Sequence, residues 1–259
     1  MPFKIHPSGL CTWFDASNQP EPGKGGRQAF GKFRSRRSVF FNRASILWYK
    51  YPKLNFFTFT LKEQNNVDTF YTGKFSMLLE NYRQRFKRNS PDGFENYVWV
   101  AEVQKRGAIH FHLLTHAYVP IKGLQNYWND LVEQTSRNSV DVQHVPDSIN
   151  SVPAYMCKYF TKQTYRTKSG LLKSLRTLEC RSFGSSAGLK FDSVTLEAPP
   201  GKPLSTFTKI IERNGERVEV DFSYYNTRFI IDNFFPEAAT TERCTLGFIS
   251  PHATPTKKV

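Results

Sequence analysis

The chain has 259 residues, a formal net charge of +14 and an apolar share of 39%. The apolar share excludes wholesale disorder, and no stretch approaches the roughly 20 apolar residues that a membrane-spanning helix needs. The excess of lysine and arginine favours an anionic partner, most often nucleic acid. Four cysteines without a CxxC pair, and an N-terminus without an apolar leader, predict a protein of the reducing cytoplasm.

The first 50 residues are rich in glycine, lysine and arginine, and residues 22–53 contain no acidic side chain. The run GKGGRQAFGKFRSRR predicts a mobile basic arm that contacts phosphates, with Arg34, Arg36 and Arg37 as DNA-binding candidates. Phenylalanines interleave with these charges. Their rings would either stack on unpaired bases or dock the segment onto the core, and the pattern favours neither alternative.

Residues 51–165 carry the clearest strand and helix signals. Aromatic and β-branched runs predict strands, and apolar residues at helical spacing predict helices. In chain order we predict a strand at 54–62, a helix at 68–88, strands at 96–104 and 108–116, a helix at 121–137, a strand at 139–145 and a helix from 151 to about 164. This order predicts an α+β fold, ferredoxin-like or RRM-like, with a mainly antiparallel sheet and helices on one face.

The last third of the chain has weaker patterns. Asn214-Gly215 lies between two alternating runs and predicts a β-hairpin, whereas the tail HATPTKKV predicts disorder. We therefore divide the chain into a basic N-terminal arm at 1–50, a core domain at 51–165 and a β-rich C-terminal extension at 166–259 that packs on the core.

Two histidines stand two residues apart in GAIHFHLLTH, residues 107–116. Alternate residues of a strand share a face, so that His110 and His112 point the same way with Cα atoms about 6.6 Å apart. Both imidazoles can then reach one ion at about 2.1 Å. His116 has the same parity but lies about 13 Å beyond His112, too far along an ordinary strand to share that ion. Taken alone, the pair is as typical of a structural pair as of a metal site.

A third ligand is expected from the neighbouring strand. The three residues at 105–107 predict a hairpin loop that pairs Glu102 with His110, with Cβ atoms about 5 Å apart across the ladder. Gln104 shares that face and is the weaker candidate. Two imidazoles and one carboxylate suit Mg²⁺ or Mn²⁺, and Zn²⁺ stays open. The loop also contributes two DNA-binding candidates, Lys105 and Arg106.

The segment AYMCKYFTKQ, residues 154–163, places Tyr155 and Tyr159 on one face of a predicted helix. Lys158 and Lys162 each follow a tyrosine by three residues. Without the histidines, the favoured interpretation is two tyrosines that pack on the sheet with lysines outside. With them, the tyrosines become nucleophiles beside a metal, because a nearby cation favours the phenolate of a side chain whose pKa is ordinarily about 10.

The order of FFTFTL, HFH and YMCKYFTK resembles the HUH endonucleases that initiate rolling-circle replication, in which a bulky apolar residue, here Phe111, separates the two histidines. Histidines before tyrosines is the order of replication initiators, and conjugative relaxases have the reverse. Two tyrosines separated by three residues look most like the initiators of small single-stranded-DNA phages and of some bacterial plasmids. The resemblance covers about residues 54–165, and the segment LECRSFGSSAGL that follows resembles phage initiators only loosely.

The resemblance implies a divalent ion, Mg²⁺ or Mn²⁺, held by the ligand trio of Glu102, His110 and His112. It implies that a tyrosine attacks single-stranded DNA at an origin, which leaves a 5′-phosphotyrosine and a free 3′-hydroxyl, and that the second tyrosine serves the later rejoining. Lys158 and Lys162 would contact phosphate or stabilise the phenolate, with Lys162 favoured. No GxxxxGK[ST] motif occurs, so that a helicase and polymerase of a bacterial host are expected partners.

Three alternatives stay open. A non-catalytic RRM-like nucleic-acid-binding protein would use the aromatic side chains for binding and the histidines for packing. An HUH transposase would share the chemistry, although the known single-strand type is generally shorter and has one tyrosine. A metal-dependent nuclease that uses water would leave the tyrosines to packing. The residues after 165 would read duplex DNA, contact a host helicase or only brace the core.

Overall fold

The structure is a computed structural model that describes residues 3–13, 36–51, 53–62, 69–90, 93–104, 108–145, 152–162, 164–166, 172–174, 181–213 and 216–239. The strands in these ranges are β1 (Phe3–Ile5), β2 (Leu10–Trp13), β3 (Asn55–Thr60), β4 (Tyr97–Val103), β5 (Ile109–Thr115), β6 (Val140–His144), β7 (Thr164–Arg166), β8 (Leu172–Ser174), β9 (Phe183–Ser185), β10 (Val194–Leu196), β11 (Ser205–Arg213) and β12 (Glu216–Tyr224). The α-helices are α1 (Arg36–Lys50), α2 (Thr69–Lys87), α3 (Ile121–Leu131), α4 (Val152–Cys157), α5 (Thr227–Phe234) and α6 (Pro236–Ala239), and 3-10 helices lie at Lys158–Lys162 and Ala187–Leu189. None of these helices has the length and apolar character that crossing a membrane requires.

The central sheet has five strands in the order β6-β3-β5-β4-β9, and each neighbouring pair is antiparallel. The predicted α+β fold with an antiparallel central sheet is therefore confirmed. The hairpin register is confirmed as well, since Glu102 lies opposite His110 and the Gln104 N–H donates to the Ala108 carbonyl at 2.9 Å. Strand positions alternate between the two faces of the sheet, and both faces are buried along β4 and β5.

One face of the central sheet packs against α2 and α3. Phe57 and Phe59 of β3 and Phe111 of β5 are fully buried there with Phe75 of α2 and Trp128 of α3. The rings of Phe75 and Phe111 are stacked with centroids 4.4 Å apart. This aromatic layer determines which side chains of β5 lie on each face of the sheet. Because Phe111 is on this face, His110 and His112 on either side of it lie on the opposite face.

The opposite face, which carries the histidines, packs against α1 and α4. Phe56 and Leu114 of the sheet share a core there with Phe40 of α1 and Met156 of α4. The helices therefore cover both faces rather than the single face that the element order predicted. The physical reason is that β3, β4 and β5 carry apolar side chains on both sides, and a sheet of this kind needs a layer on each.

Helix α1 comes from the segment predicted as a mobile basic arm. Its Phe40 is buried and Phe41 is partly buried against the same core. Of the two predicted alternatives, the structure therefore shows docking onto the core for these two rings. Residues 36–50 thus form part of the fold. Residues 3–13 of the arm contain β1 and β2. Residues 14–35, with Arg34, lie outside the described residues, as do the loop with Lys105 and Arg106 and the tail.

Two predicted helices end earlier than their patterns indicated. The helix predicted to residue 137 ends at Leu131, because Glu133 adopts a left-handed backbone conformation with φ +52°. The helix predicted to residue 164 is α-helical only to Cys157 and continues as the 3-10 helix Lys158–Lys162. This change of winding falls between the two tyrosines.

A second five-stranded sheet has the order β10-β1-β2-β12-β11 and joins the two ends of the chain. The predicted hairpin at 214–215 is confirmed by its register, in which Arg213 lies opposite Glu216. Ile5 of β1 and Ile230 of α5 are buried in the core beneath α1. The boundaries at residues 50 and 165 stay predictions.

Candidate metal centre and tyrosine pair

The predicted ligand trio forms one cluster in the structure. The carboxylate of Glu102 and the imidazoles of His110 and His112 each offer a ligand atom, and these atoms all lie within 4.8 Å of one another. Glu102 Oε1 is 3.1 Å from His112 Nε2 and 3.9 Å from His110 Nδ1. His116 lies apart, with its ring stacked on Tyr51 at 3.8 Å between centroids, as its distance along the strand predicted.

All three side chains of the trio are buried, with 4–8% of their surface exposed. A carboxylate loses most of its hydration at such a depth, and this costs free energy unless positive charge or donors compensate. The separations of 3.1 and 3.9 Å from the Glu102 oxygen suit one divalent ion, since ligand atoms at about 2.1 Å from a common centre are at most about 4.2 Å apart. The trio could therefore hold a metal ion, and its oxygen and nitrogen donors do not single out one metal.

Strand β3 orients His112 from the side opposite Glu102. The Thr58 Oγ1 atom lies 3.2 Å from His112 Nδ1, and Thr58 is directly opposite His112 in the register. The ring of Phe56 stacks on the His112 ring at 5.3 Å between centroids. One ring nitrogen thus contacts a hydroxyl while the other points at the carboxylate, and a contact of this kind fixes the orientation of a metal-binding histidine.

The sequence analysis missed Phe56 and Thr58 as parts of the site. The alternation of NFFTFT places both on one face of β3, but only the pairing of β3 with β5 shows that this is the histidine face. Because that pairing joins segments about fifty residues apart, no local signal could have revealed it.

The two tyrosines meet next to His112 of the trio. The Tyr159 ring stacks on the His112 ring with centroids 3.9 Å apart, and the Tyr159 hydroxyl donates to the Tyr155 hydroxyl at 3.2 Å. Phe56 contacts both tyrosine rings, at 5.7 and 5.9 Å between centroids. Tyr159 is 5% exposed and Tyr155 is partly exposed. Both hydroxyls are therefore close enough to serve a single small site.

The protein environment disfavours ionisation of Tyr159. Burial raises the pKa of its phenol well above the ordinary value, and the Tyr155 hydroxyl and the Glu102 carboxylate act in the same direction. The protein atoms alone thus keep this phenol protonated. Ionisation would require added positive charge close to the hydroxyl.

Of the two predicted lysines, Lys158 is the one with a described side chain. Its ammonium lies 3.5 Å from the Tyr155 ring centroid and 5.0 Å from the Tyr159 ring centroid. A cation over an aromatic face is attracted by the ring quadrupole. Lys162 ends the 3-10 helix, and its side chain is outside the described residues, so that its role stays a prediction.

Two of the predicted DNA-binding arginines are placed at the start of α1. Arg36 donates from Nη2 to the Ser182 hydroxyl at 3.0 Å and is partly buried. Arg37 is exposed and lies beside Cys157, the residue midway between the tyrosines. Burial raises the pKa of the Cys157 thiol, and a hydrogen bond with Arg37 opposes that shift. A cationic side chain is thus next to the helix that carries the tyrosines.

Residues 55–164 match the model of the family described as replication-associated protein ORF2/G2P. No curated protein and no solved structure matches the chain. The matched segment begins with β3 and runs through the central strands to the residues just after the tyrosines. It therefore contains the ligand trio and the tyrosine pair, so that the similarity to this family of replication-associated proteins lies in the part of the chain that carries the candidate site.

Proposed function

We propose that the protein is a rolling-circle replication initiator of the HUH type, which cleaves and rejoins single-stranded DNA at an origin. The observation that carries this proposal is a hydrogen-bonded pair of tyrosines, of which Tyr159 stacks on His112 of a buried Glu-His-His cluster. A structural role would require neither the clustering of three ionisable groups at low exposure nor the packing of two hydrogen-bonded tyrosines against them. The family match and the net charge of +14 support the same conclusion.

The ligand trio would hold Mg²⁺ or Mn²⁺, which when bound would polarise the scissile phosphate and offset its developing charge. The oxygen of one tyrosine, Tyr155 or Tyr159, attacks phosphorus. The bond from phosphorus to the 3′-oxygen breaks, and that oxygen takes up a proton to become a 3′-hydroxyl. The 5′ end stays esterified to the tyrosine, so that the energy of the phosphodiester is kept for rejoining.

The second tyrosine can act at the same place because the hydroxyls are 3.2 Å apart. While one is esterified, the other can attack the regenerated origin and release the first end. The Lys158 ammonium, which lies over both rings, would bind phosphate oxygens or favour the phenolate. Lys162, which follows Tyr159 by three residues in the sequence, is proposed for the same role. A host helicase would open the duplex, and a host polymerase would extend the 3′-hydroxyl.

A covalent-adduct assay tests the proposal. Labelled single-stranded oligonucleotides that tile the replicon encoding the chain are incubated with the protein and Mn²⁺, then separated on a denaturing gel. We expect a protein–DNA band that EDTA prevents and that the double variant Tyr155→Phe, Tyr159→Phe cannot form. Tyr82→Phe is the matched control, because Tyr82 is buried in the core on the opposite face of the sheet. Strand cleavage without any covalent band would favour a nuclease that uses water, and binding without cleavage would favour an RRM-like binding protein.

A further inference from the structure

The second sheet carries three aromatic rings in a row, which we name the aromatic ladder (Phe207, Phe222 and Tyr224). Phe207 of β11 lies opposite Phe222 of β12, with centroids 5.2 Å apart and planes within 9° of parallel. The Tyr224 ring is stacked on Phe207 as well, at 5.8 Å. Phe222 and Tyr224 are two apart in one strand and share a face. The three rings therefore form one continuous stacked surface.

The ladder lies on the face of the second sheet that points away from the core. The register aligns Phe222 with Thr12 and Thr12 with Lys4, so that Lys4 shares the ladder's face and Ile5 points the opposite way. Ile5 is fully buried in the core. β11 is the edge strand of this sheet. Phe207 is thus the outermost ring, and 41% of its surface is exposed.

The inner end of the ladder is less accessible than the outer end. Tyr224 is half-buried, and burial raises the pKa of its hydroxyl. The end of the ladder at Phe207 is therefore the one that is open to a ligand.

The charges near the ladder suit an anionic strand. Lys4 is on the same face as the rings. Glu219, whose side chain the structure describes, is in register with Ile210, and this pair lies on the opposite face from Phe207 because the positions alternate. A basic group and aromatic rings thus occur together on one face, which is the combination used to bind single strands.

We propose that the aromatic ladder is a stacking platform for single-stranded DNA. Unpaired bases would stack on the outer face of Phe207, while Lys4 contacts the backbone. A duplex does not fit this role, since its bases are already stacked on one another and expose only their edges in the grooves. The identity of the ligand rests on the proposed function, but the platform itself requires only binding.

The test is the affinity of the full chain for a fluorescent oligothymidylate, measured by anisotropy over a series of salt concentrations in EDTA. We expect Phe207→Ala to weaken binding roughly five-fold or more, the usual effect of removing one stacked ring. The slope of log affinity against log salt should not change, because no phosphate contact is lost. Phe207→Trp should keep the affinity, and its added indole fluorescence should be quenched by the oligonucleotide.

The matched control is Ile210→Ala, because Ile210 is 60% exposed on the other face of the same strand. It should leave the affinity unchanged. The proposal is overturned if Phe207→Ala binds like the unaltered chain, or if Phe207→Leu retains full affinity, since an apolar docking surface for a protein would accept leucine. Measurement in EDTA separates this result from the chemistry. If no covalent adduct ever forms, a weakened Phe207→Ala variant still supports the platform.

Discussion

Thr58→Val tests whether the contact from β3 prepares His112 for metal binding. Valine keeps the branched shape of threonine and replaces only the hydroxyl that lies 3.2 Å from His112 Nδ1. If Nε2 binds an ion through its lone pair, the ring proton must be on Nδ1. The Nδ1–H group can then donate a hydrogen bond to the Thr58 hydroxyl oxygen. Because His112 is 4% exposed, water cannot easily replace the lost acceptor.

The expected loss of metal-binding free energy is about 1–3 kcal/mol, because the buried Nδ1–H donor of His112 would be left without an acceptor. Loss of such a partner typically weakens metal affinity by about 10- to 100-fold. At free Mn²⁺ near 100 times the dissociation constant, the ion stabilises the folded state by about 2.7 kcal/mol, and a ten-fold weaker site would give about 1.4 kcal/mol. The difference is large enough to resolve in urea unfolding.

The assay is a calorimetric Mn²⁺ titration together with urea unfolding in the presence and absence of Mn²⁺. Thr58→Ser is the matched control, because it retains the hydroxyl and should bind Mn²⁺ nearly as the unaltered chain does. If Thr58→Val binds Mn²⁺ with unchanged affinity and keeps the full stabilisation by the ion, the contact does not prepare the ligand and the reasoning is refuted.

Three further predictions concern other groups. His110→Ala, like EDTA, should abolish the covalent adduct on a denaturing gel but leave most anisotropy-measured binding, because basic contacts supply the affinity; robust cleavage by this variant would exclude the metal site. Tyr155→Phe and Tyr159→Phe should each retain adduct formation or strand joining and only the double variant lose both; mass-spectrometric mapping that finds adducts on one tyrosine alone, with the other's variant fully active, would contradict this. Burial lowers the pKa of His116, and the charge of Glu95 opposes that shift. As the pH falls, the His116 imidazole therefore takes up a proton in the unfolded chain before it does so in the folded chain. His116 should therefore have no effect on the free energy of unfolding above about pH 6.5 and should lower it as the pH falls below that value. If the urea midpoint falls with pH as much in His116→Gln as in the unaltered chain, His116 is not the cause.

The sequence predicted those parts of the site that lie within one hairpin. A three-residue loop fixes the register of its strands, and the register alone places Glu102 beside His110. The proximity of Tyr155 and Tyr159 follows in the same way from four-residue spacing in a helix. In each case the information is contained in a segment of fewer than about fifteen residues, where turn chemistry and periodicity act directly.

The features that sequence analysis missed depend on long-range pairing. Thr58 reaches His112 only because β3 pairs with β5, and Phe40 is buried only because α1 covers the histidine face. A basic composition indicated an exposed arm there, and the apolar positions that pack α1 were outnumbered by charges and glycines around them. Tertiary packing overrode composition, since a two-faced apolar sheet needs a layer on each side.

The change from α- to 3-10 winding at Lys158 explains how two tyrosines on one helix take different positions. In a continuous α-helix, residues four apart are turned about 40° from alignment, whereas 3-10 winding with 3.0 residues per turn adds rotation. The tyrosine rings are accordingly 84° apart in plane, with Tyr159 stacked on His112 and Tyr155 turned outward. Their hydroxyls still meet, at 3.2 Å. Tyr159 is therefore positioned by its contact with the sheet, and Tyr155 by its hydrogen bond with Tyr159, so that a change at His112 should disturb both predicted nucleophiles.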